Sequence, residues 1–118
     1  MSTKTVHLYG IKNCDTMKKA LNWMAGHGVE HEFHDYKKEG VDRDKLVEWC
    51  KIVGWKTLIN TKGTTWKKLT PEQQAVTAQG QAVALMLENP SLIRRPVVEL
   101  NGQLLVGFDP TLFESLVQ

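Results

Sequence analysis

The stretch Val6-His7-Leu8-Tyr9-Gly10-Ile11-Lys12-Asn13-Cys14-Asp15-Thr16-Met17, continued by KKALNWMAGHGVEHEFHDY to Tyr36, decides the fold. Val6 to Tyr9 is β-branched and aromatic and stops at Gly10, which predicts a short strand. After the Gly10-Ile11-Lys12-Asn13 loop the period changes. Met17, Ala20, Leu21 and Met24 fall at i, i+3, i+4 and i+7, the spacing of one buried helix face, so a helix begins close to Cys14. Gly26 and Gly28 end it. Glu30 to Tyr36 reads as a second strand, with Phe33 flanked by polar residues, and a charged turn, Lys37-Lys38-Glu39-Gly40, follows. A strand–helix–strand start requires a parallel pair joined by a right-handed crossover.

Outward from this stretch the chain becomes helical. Asp42 is a suitable N-cap for a helix through Val53, stopped by Gly54. Its apolar face is Leu46, Cys50 and Val53, joined by Val47 or Trp49. Trp55 to Leu69 is irregular, broken at Gly63, with room for single helical turns. Thr70-Pro71-Glu72-Gln73 combines a cap residue, proline at the first helical position and an acid in the first turn. A further helix is predicted over Gln81 to Glu88, carrying Val83, Leu85, Met86 and Leu87 and closed by Asn89-Pro90. Val97 to Leu100 and Gln103 to Val106 are then separated by Asn101-Gly102, a strong hairpin signal. Asp109-Pro110 opens a last helix in which Leu112, Phe113, Leu116 and Val117 can pack back on the sheet.

The order β-α-β, several helices, a β-hairpin and a final helix gives a four-stranded mixed sheet flanked by helices. This α/β arrangement is the thioredoxin-like (glutaredoxin-like) plan, with a helical insertion at about residues 42–89 inside a single domain spanning 1–118. The 118 residues suffice for one continuous core. An apolar share of 42% and a charged share of 24% are those of a soluble globular protein. No stretch approaches the roughly 18 apolar residues of a membrane span. Met1-Ser2-Thr3-Lys4 lacks the apolar core of a signal peptide, so a cytoplasmic location is expected. A net charge of +2 is too small to argue for nucleic-acid binding. Its distribution is uneven, since Lys51, Lys56, Lys62, Lys67 and Lys68 lie in a segment, Lys51 to Thr70, that has no Asp or Glu. That segment is either a solvated face or a surface for an anionic ligand or acidic partner.

Cys14 and Cys50 are too few for a disulfide scaffold, and a reducing compartment keeps both as thiols. Cys14 follows a strand and a glycine-containing loop at the point where a helix starts. The unpaired, aligned N–H groups of a helix N-terminus stabilise an anion, which lowers a thiol pKa from about 8.5 towards about 6. Lys12 acts in the same direction and Asp15 against it. The competing reading of Cys14 is a small buried hydrophobe. It is weakened because Cys14 lies off the Met17/Ala20/Leu21/Met24 face, in a polar run. Cys50 lies on an apolar helix face and reads as core. Position 17 is Met rather than the second cysteine of a Cys-x-x-Cys motif, so Cys14 has no local resolving partner. An outside thiol, glutathione or a glutaredoxin, must complete any cycle that forms a mixed disulfide.

The chain has twelve lysines and three arginines, and two of those, Arg94 and Arg95, are adjacent and precede Pro96. Arginine presents a planar fork that grips oxyanions and carboxylates bidentately. Arg95-Pro96 is placed where a thioredoxin-like fold holds a cis proline beside its cysteine. A trans proline opening an edge strand is the alternative. The four histidines are not expected to bind a metal, since His31 and His34 are three apart on a strand and face opposite sides. The four tryptophans read as core or groove-lining residues.

The run Leu8-Tyr9-Gly10-Ile11-Lys12-Asn13-Cys14-Asp15-Thr16, together with Arg95-Pro96 and Gly63-Thr64-Thr65-Trp66, resembles the arsenate reductase-like (ArsC/Spx) family over about residues 5–117, most closely its YffB branch. The resemblance implies Cys14 as nucleophile and glutathione with glutaredoxin as reductant, with no bound cofactor. Lys12, Asn13, Asn60, Arg94, Arg95 and Pro96 are then the expected substrate-binding residues. Three arginines hold the oxyanion in the reductases proper, and only Arg95 matches one of them here. The other two positions fall at Asn60 and Phe108. A transition state approaching a trianion loses two charge-assisted contacts, each worth about 1.5–3 kcal/mol. That argues against dedicated arsenate reduction and leaves another oxyanion or a thiol adduct as substrate. The related Spx branch implies the alternative, a regulator that binds an RNA polymerase subunit without turnover. A monomer is expected.

Overall fold

The computed structural model describes residues 5–12, 14–100 and 103–114. Asn13, the Asn101-Gly102 turn, and Leu116 and Val117 of the last predicted helix lie outside these residues. The chain divides into two compact units, Met1–Glu39 with Arg95–Gln118, and Gly40–Arg94.

The first unit carries the sheet. Strand β1 (Val6–Gly10) leads to helix α1 (Asp15–Gly26), strand β2 (His31–Asp35) and a single helical turn, α2 (Tyr36–Glu39). The expected charged turn at 37–40 is therefore helical. Asp35 Oδ1 accepts from the Lys37 N–H at 2.9 Å, and Gly40, at φ 77°, stops the turn. In the second unit, α3 (Arg43–Val53), α4 (Trp55–Leu58), α5 (Thr64–Lys67), α6 (Pro71–Gln74) and α7 (Gln79–Glu88) are followed by a 3₁₀ turn at Pro90–Leu92. The chain then returns to the first unit as strands β3 (Val97–Leu100) and β4 (Gln103–Val106) and the short helix α8 (Pro110–Phe113).

The sheet order is β2-β1-β3-β4. β1 and β2 are parallel, while β1–β3 and β3–β4 are antiparallel, so this is the predicted mixed thioredoxin-like sheet. Alternation along β1 turns Val6, Leu8 and Gly10 inward and leaves His7 and Tyr9 on the other face. Met17, Ala20 and Met24 of α1 pack with Val6, Leu8, Val98, Leu100 and Phe113 in one core. Gly10 is required at the crossing, because a Cβ there would lie 2.5 Å from Met17 Sδ.

α8 corrects one expectation. Phe113 is buried, but Leu112 is 48% exposed. Successive helical residues point about 100° apart, and one turn capped by Asp109 can direct only one of the two inward.

Within the second unit, Asp42 caps α3 through the Asp44 N–H at 2.9 Å, and Gly54 at φ 86° ends it. Trp49 rather than Val47 joins Leu46 and Cys50 as fully buried. Thr70 and Gln73 close a reciprocal capping box at α6, which extends for one turn only. The segment after α7 is tied to the one after α4. Asn60 N–H donates to Leu92 O and Arg94 N–H to Leu58 O, both at 2.8 Å, around an Ile59–Ile93 bridge. These bonds hold residues 89–94 in the helical unit beyond the end of α7.

Candidate active site

Cys14 is the N-cap of α1, with extended backbone (φ −146°, ψ 126°), and its carbonyl accepts the first intrahelical bond from Lys18 N–H at 3.0 Å. Its side chain is half-buried against the core formed by β1, β3 and α1. Gly10 sets this position, since the close β1–α1 crossing at Met17 brings the first turn of the helix back over the strand end. The sulfur makes no cap hydrogen bond of ordinary geometry.

Its ionisation is nonetheless displaced. Burial pushes the thiol pKa up, but the Met17 N–H, the positive charge of Arg95, the Thr16 N–H and a hydrogen bond from the Arg95 side chain outweigh it, and the net shift is downward. Thr16 and Met17 occupy the second and third helical positions, where N–H groups have no intrahelical acceptor. The charge acting on Cys14 is therefore that of Arg95, whereas Lys12 and Asp15 are both exposed. Cys50 is the opposite case, a buried thiol whose pKa burial raises.

Arg95 is half-buried at the entry to β3, and the Arg95–Pro96 peptide is cis. Pro96 is buried, and its carbonyl accepts from Gly107 N–H at 2.8 Å, which extends the hairpin pairing by one bond. Asn13 lies outside the described residues. Asn60 and Arg94 belong to the second unit. Asn60 Oδ1 accepts from Lys62 N–H at 3.1 Å, and its Nδ2 lies 2.9 Å from where a Cβ on Gly63 would stand. Arg94 is exposed. Phe108 is half-buried against the core and meets Phe113 edge-to-face, with centroids 5.1 Å apart.

Sequence reasoning missed a polar group on which the Arg95 charge also acts. Tyr9 donates through its hydroxyl to Glu99 Oε1 at 2.8 Å. Tyr36 is buried, and its hydroxyl has no hydrogen-bond partner among the described residues. Burial pushes its pKa far up, Tyr9 and Glu99 add to the rise, and Arg95 opposes it, so the phenol remains protonated. No sequence pattern links these residues, because β1 and β3 are neighbours only in space. The histidine reading was also incomplete. His31 and His34 do point to opposite faces, but His34 meets His7 across the β1–β2 pair.

A family model described as ArsC family matches residues 9–116. The solved structure of a protein named YFFB (PA3664) is 49% identical, superposes with a TM-score of 0.92, and the match covers 96% of this chain and 99% of that one. An arsenate reductase (ArsC) related protein from Brucella melitensis is 46% identical at a TM-score of 0.79, covering 98% and 96%. The global transcriptional regulator Spx of Streptococcus pyogenes serotype M6 is 26% identical over 106 residues, 88% of this chain and 78% of that protein. Among the described residues no helix is long and apolar enough to cross a membrane.

Proposed function

Because the chain belongs to the ArsC family, we propose that it is a monothiol oxidoreductase in which the Cys14 thiolate is the nucleophile and glutathione the electron donor. The observation that supports this most is the environment of Cys14, at a helix N-terminus and under the Arg95 guanidinium, which lowers its pKa. A thiolate is the attacking species in disulfide exchange, so this environment raises the reactive fraction at neutral pH.

On a glutathione mixed disulfide, the Cys14 thiolate attacks the glutathione sulfur, forms a Cys14–glutathione disulfide and expels the substrate thiolate, which takes up a proton. Met17 lies buried where a dithiol enzyme carries its second cysteine. The thiolate of a second glutathione, or of a glutaredoxin, therefore attacks the adduct and releases Cys14 as thiolate, with both electrons coming from the external thiols. Arg95 orients a carboxylate or oxyanion of the substrate, with Lys12, Asn13 and Pro96 as further binding positions.

Arsenate is the weaker substrate. The position of one family arginine is held here by Asn60, engaged with Lys62, and that of another by Phe108, packed on Phe113. Turnover of glutathione-mixed disulfides with glutathione and glutaredoxin, compared between wild type and Cys14→Ser, tests the proposal. Full activity in Cys14→Ser would reject it.

A second reading, a regulator docking on an RNA polymerase subunit, is favoured by one observation. Lys51, Lys56, Lys62, Lys67 and Lys68 are all exposed on the second unit. Failure of purified polymerase to bind the chain, together with Cys14-dependent turnover, would exclude it.

A further inference from the structure

On the sheet face opposite α1, β1 and β2 bring together three side chains that the thiol chemistry does not use. The parallel register sets His7 beside Glu32 and Tyr9 beside His34. His7 Nδ1 lies 3.0 Å from His34 Nε2 and 3.4 Å from Glu32 Oε2, and the three ligand-type atoms all fall within 4.8 Å of one another. A tetrahedral zinc ion bound at 2.0–2.1 Å needs its ligand atoms about 3.3 Å apart. The two shorter spacings already bracket that value.

The orientation of His34 is held from behind. Its Nδ1 lies 3.1 Å from Glu39 Oε1 on α2, and its ring stacks on Tyr9 with centroids 4.6 Å apart and planes 15° from parallel. A carboxylate only accepts, so the hydrogen of the neutral ring sits on Nδ1 and the lone pair on Nε2 points at His7 and Glu32. A carboxylate behind a histidine, with the free ring nitrogen in front, is the arrangement that orients a metal-ligating imidazole and raises its basicity. Without a metal, His7 donates its Nδ1 hydrogen to His34 Nε2.

We propose that His7 Nδ1, His34 Nε2 and the Glu32 carboxylate form a binding site for a divalent first-row cation, with Glu39 as the positioning residue. Two imidazoles and one carboxylate suit zinc, and nickel or copper by the same donor set. Three protein ligands leave the fourth position to water or to an exogenous ligand. The site is half-exposed and clips β2 to the neighbouring strand. It rests on this cluster of His7, Glu32 and His34 and stands or falls independently of the function assigned to Cys14.

The test is a calorimetric titration of zinc chloride into the full chain carrying Cys14→Ser, which removes the soft thiolate as a competing ligand. One zinc per chain is expected. In that background His7→Gln and His34→Gln should each weaken binding at least tenfold, and Glu39→Gln about 10–100-fold. His31→Gln, on the opposite face, should leave it unchanged. Zinc should raise the Tm of the Cys14→Ser chain and not that of a chain also lacking both histidines. Glu32→Gln alters a side chain that is 62% exposed and outside the core, and it too should lose affinity. Absence of zinc binding in the Cys14→Ser chain, or binding indifferent to His7, His34 and Glu32, overturns the proposal.

Discussion

The Arg95 guanidinium acts on the Cys14 thiol both as a charge and as a hydrogen-bond donor, and with the Met17 and Thr16 N–H groups it overcomes the effect of burial. The two residues are 81 positions apart in the chain (95 − 14) and meet because β3 lies next to β1. The thiol pKa is therefore a property of the sheet order as much as of the helix start.

Arg95→Ala should raise the Cys14 pKa and slow its alkylation by iodoacetamide at neutral pH, with Arg95→Lys intermediate because lysine keeps the charge but loses the fork. Thiolate absorbance against pH measures it. A folded thiol that ionises below its unfolded value contributes stability that is complete above the unfolded pKa and is lost as pH falls through the folded one. Wild type should therefore gain stability relative to Cys14→Ser as pH rises through that interval. An unchanged titration in Arg95→Ala would remove Arg95 from the account.

Cys50→Ala should retain full glutathione-dependent turnover, because that thiol is buried and its pKa is raised. Its cost should appear only in urea unfolding, at about 1 kcal/mol for a small buried side chain. Loss of turnover at unchanged stability would give Cys50 a chemical role.

Gly10→Ala places a methyl group 2.5 Å from Met17 Sδ, and Met17 is fully buried. Overpacking of this kind costs about 1–3 kcal/mol. Because Met17 lies on the first turn of α1, the same variant should also raise the Cys14 pKa. Urea denaturation and thiolate titration of one sample check both.

Tyr36→Phe removes a buried hydroxyl that has no partner among the described residues. Deleting an unsatisfied buried polar group is neutral or stabilising, so unfolding free energy should stay within about 1 kcal/mol of wild type or rise. A fall in kcat/KM without a fall in stability would place the hydroxyl against the substrate.

Asn60→Arg with Phe108→Arg should raise arsenate turnover measured with glutathione and glutaredoxin. It should also lower stability, since Phe108 gives up its edge-to-face contact with Phe113, worth about 0.5–1.5 kcal/mol beyond area. No gain in turnover from a folded double variant would show that the absent arginines are not what limits arsenate chemistry.

Local chemistry was legible in the sequence wherever the deciding contacts are local. Cys14 at the start of α1, the Asp42 cap and Gly54 stop of α3, the Thr70 cap and Pro71 at the start of α6 and the two strands of the late hairpin all follow from residues within a few positions of one another. The charged 37–40 segment was less legible. Lys and Glu suit a turn or a helix equally, and the Asp35 carboxylate holding the Lys37 N–H decided for a helical turn. At α8, the apolar pair Leu112 and Phe113 could not reveal which one faces the core.

The sequence by itself determined the order of elements, the place of the cysteine at a helix start and the lack of a second cysteine at position 17, since periodicity, caps and motif spacing are properties of consecutive residues. Tertiary structure alone decided which charge acts on that cysteine, the burial of a Tyr36 hydroxyl without a partner among the described residues, and the meeting of His7, Glu32 and His34. The first and the last depend on the pairing of β1 with β3 and with β2, and side-chain distances across a sheet are set by register, which no local pattern in this chain encodes.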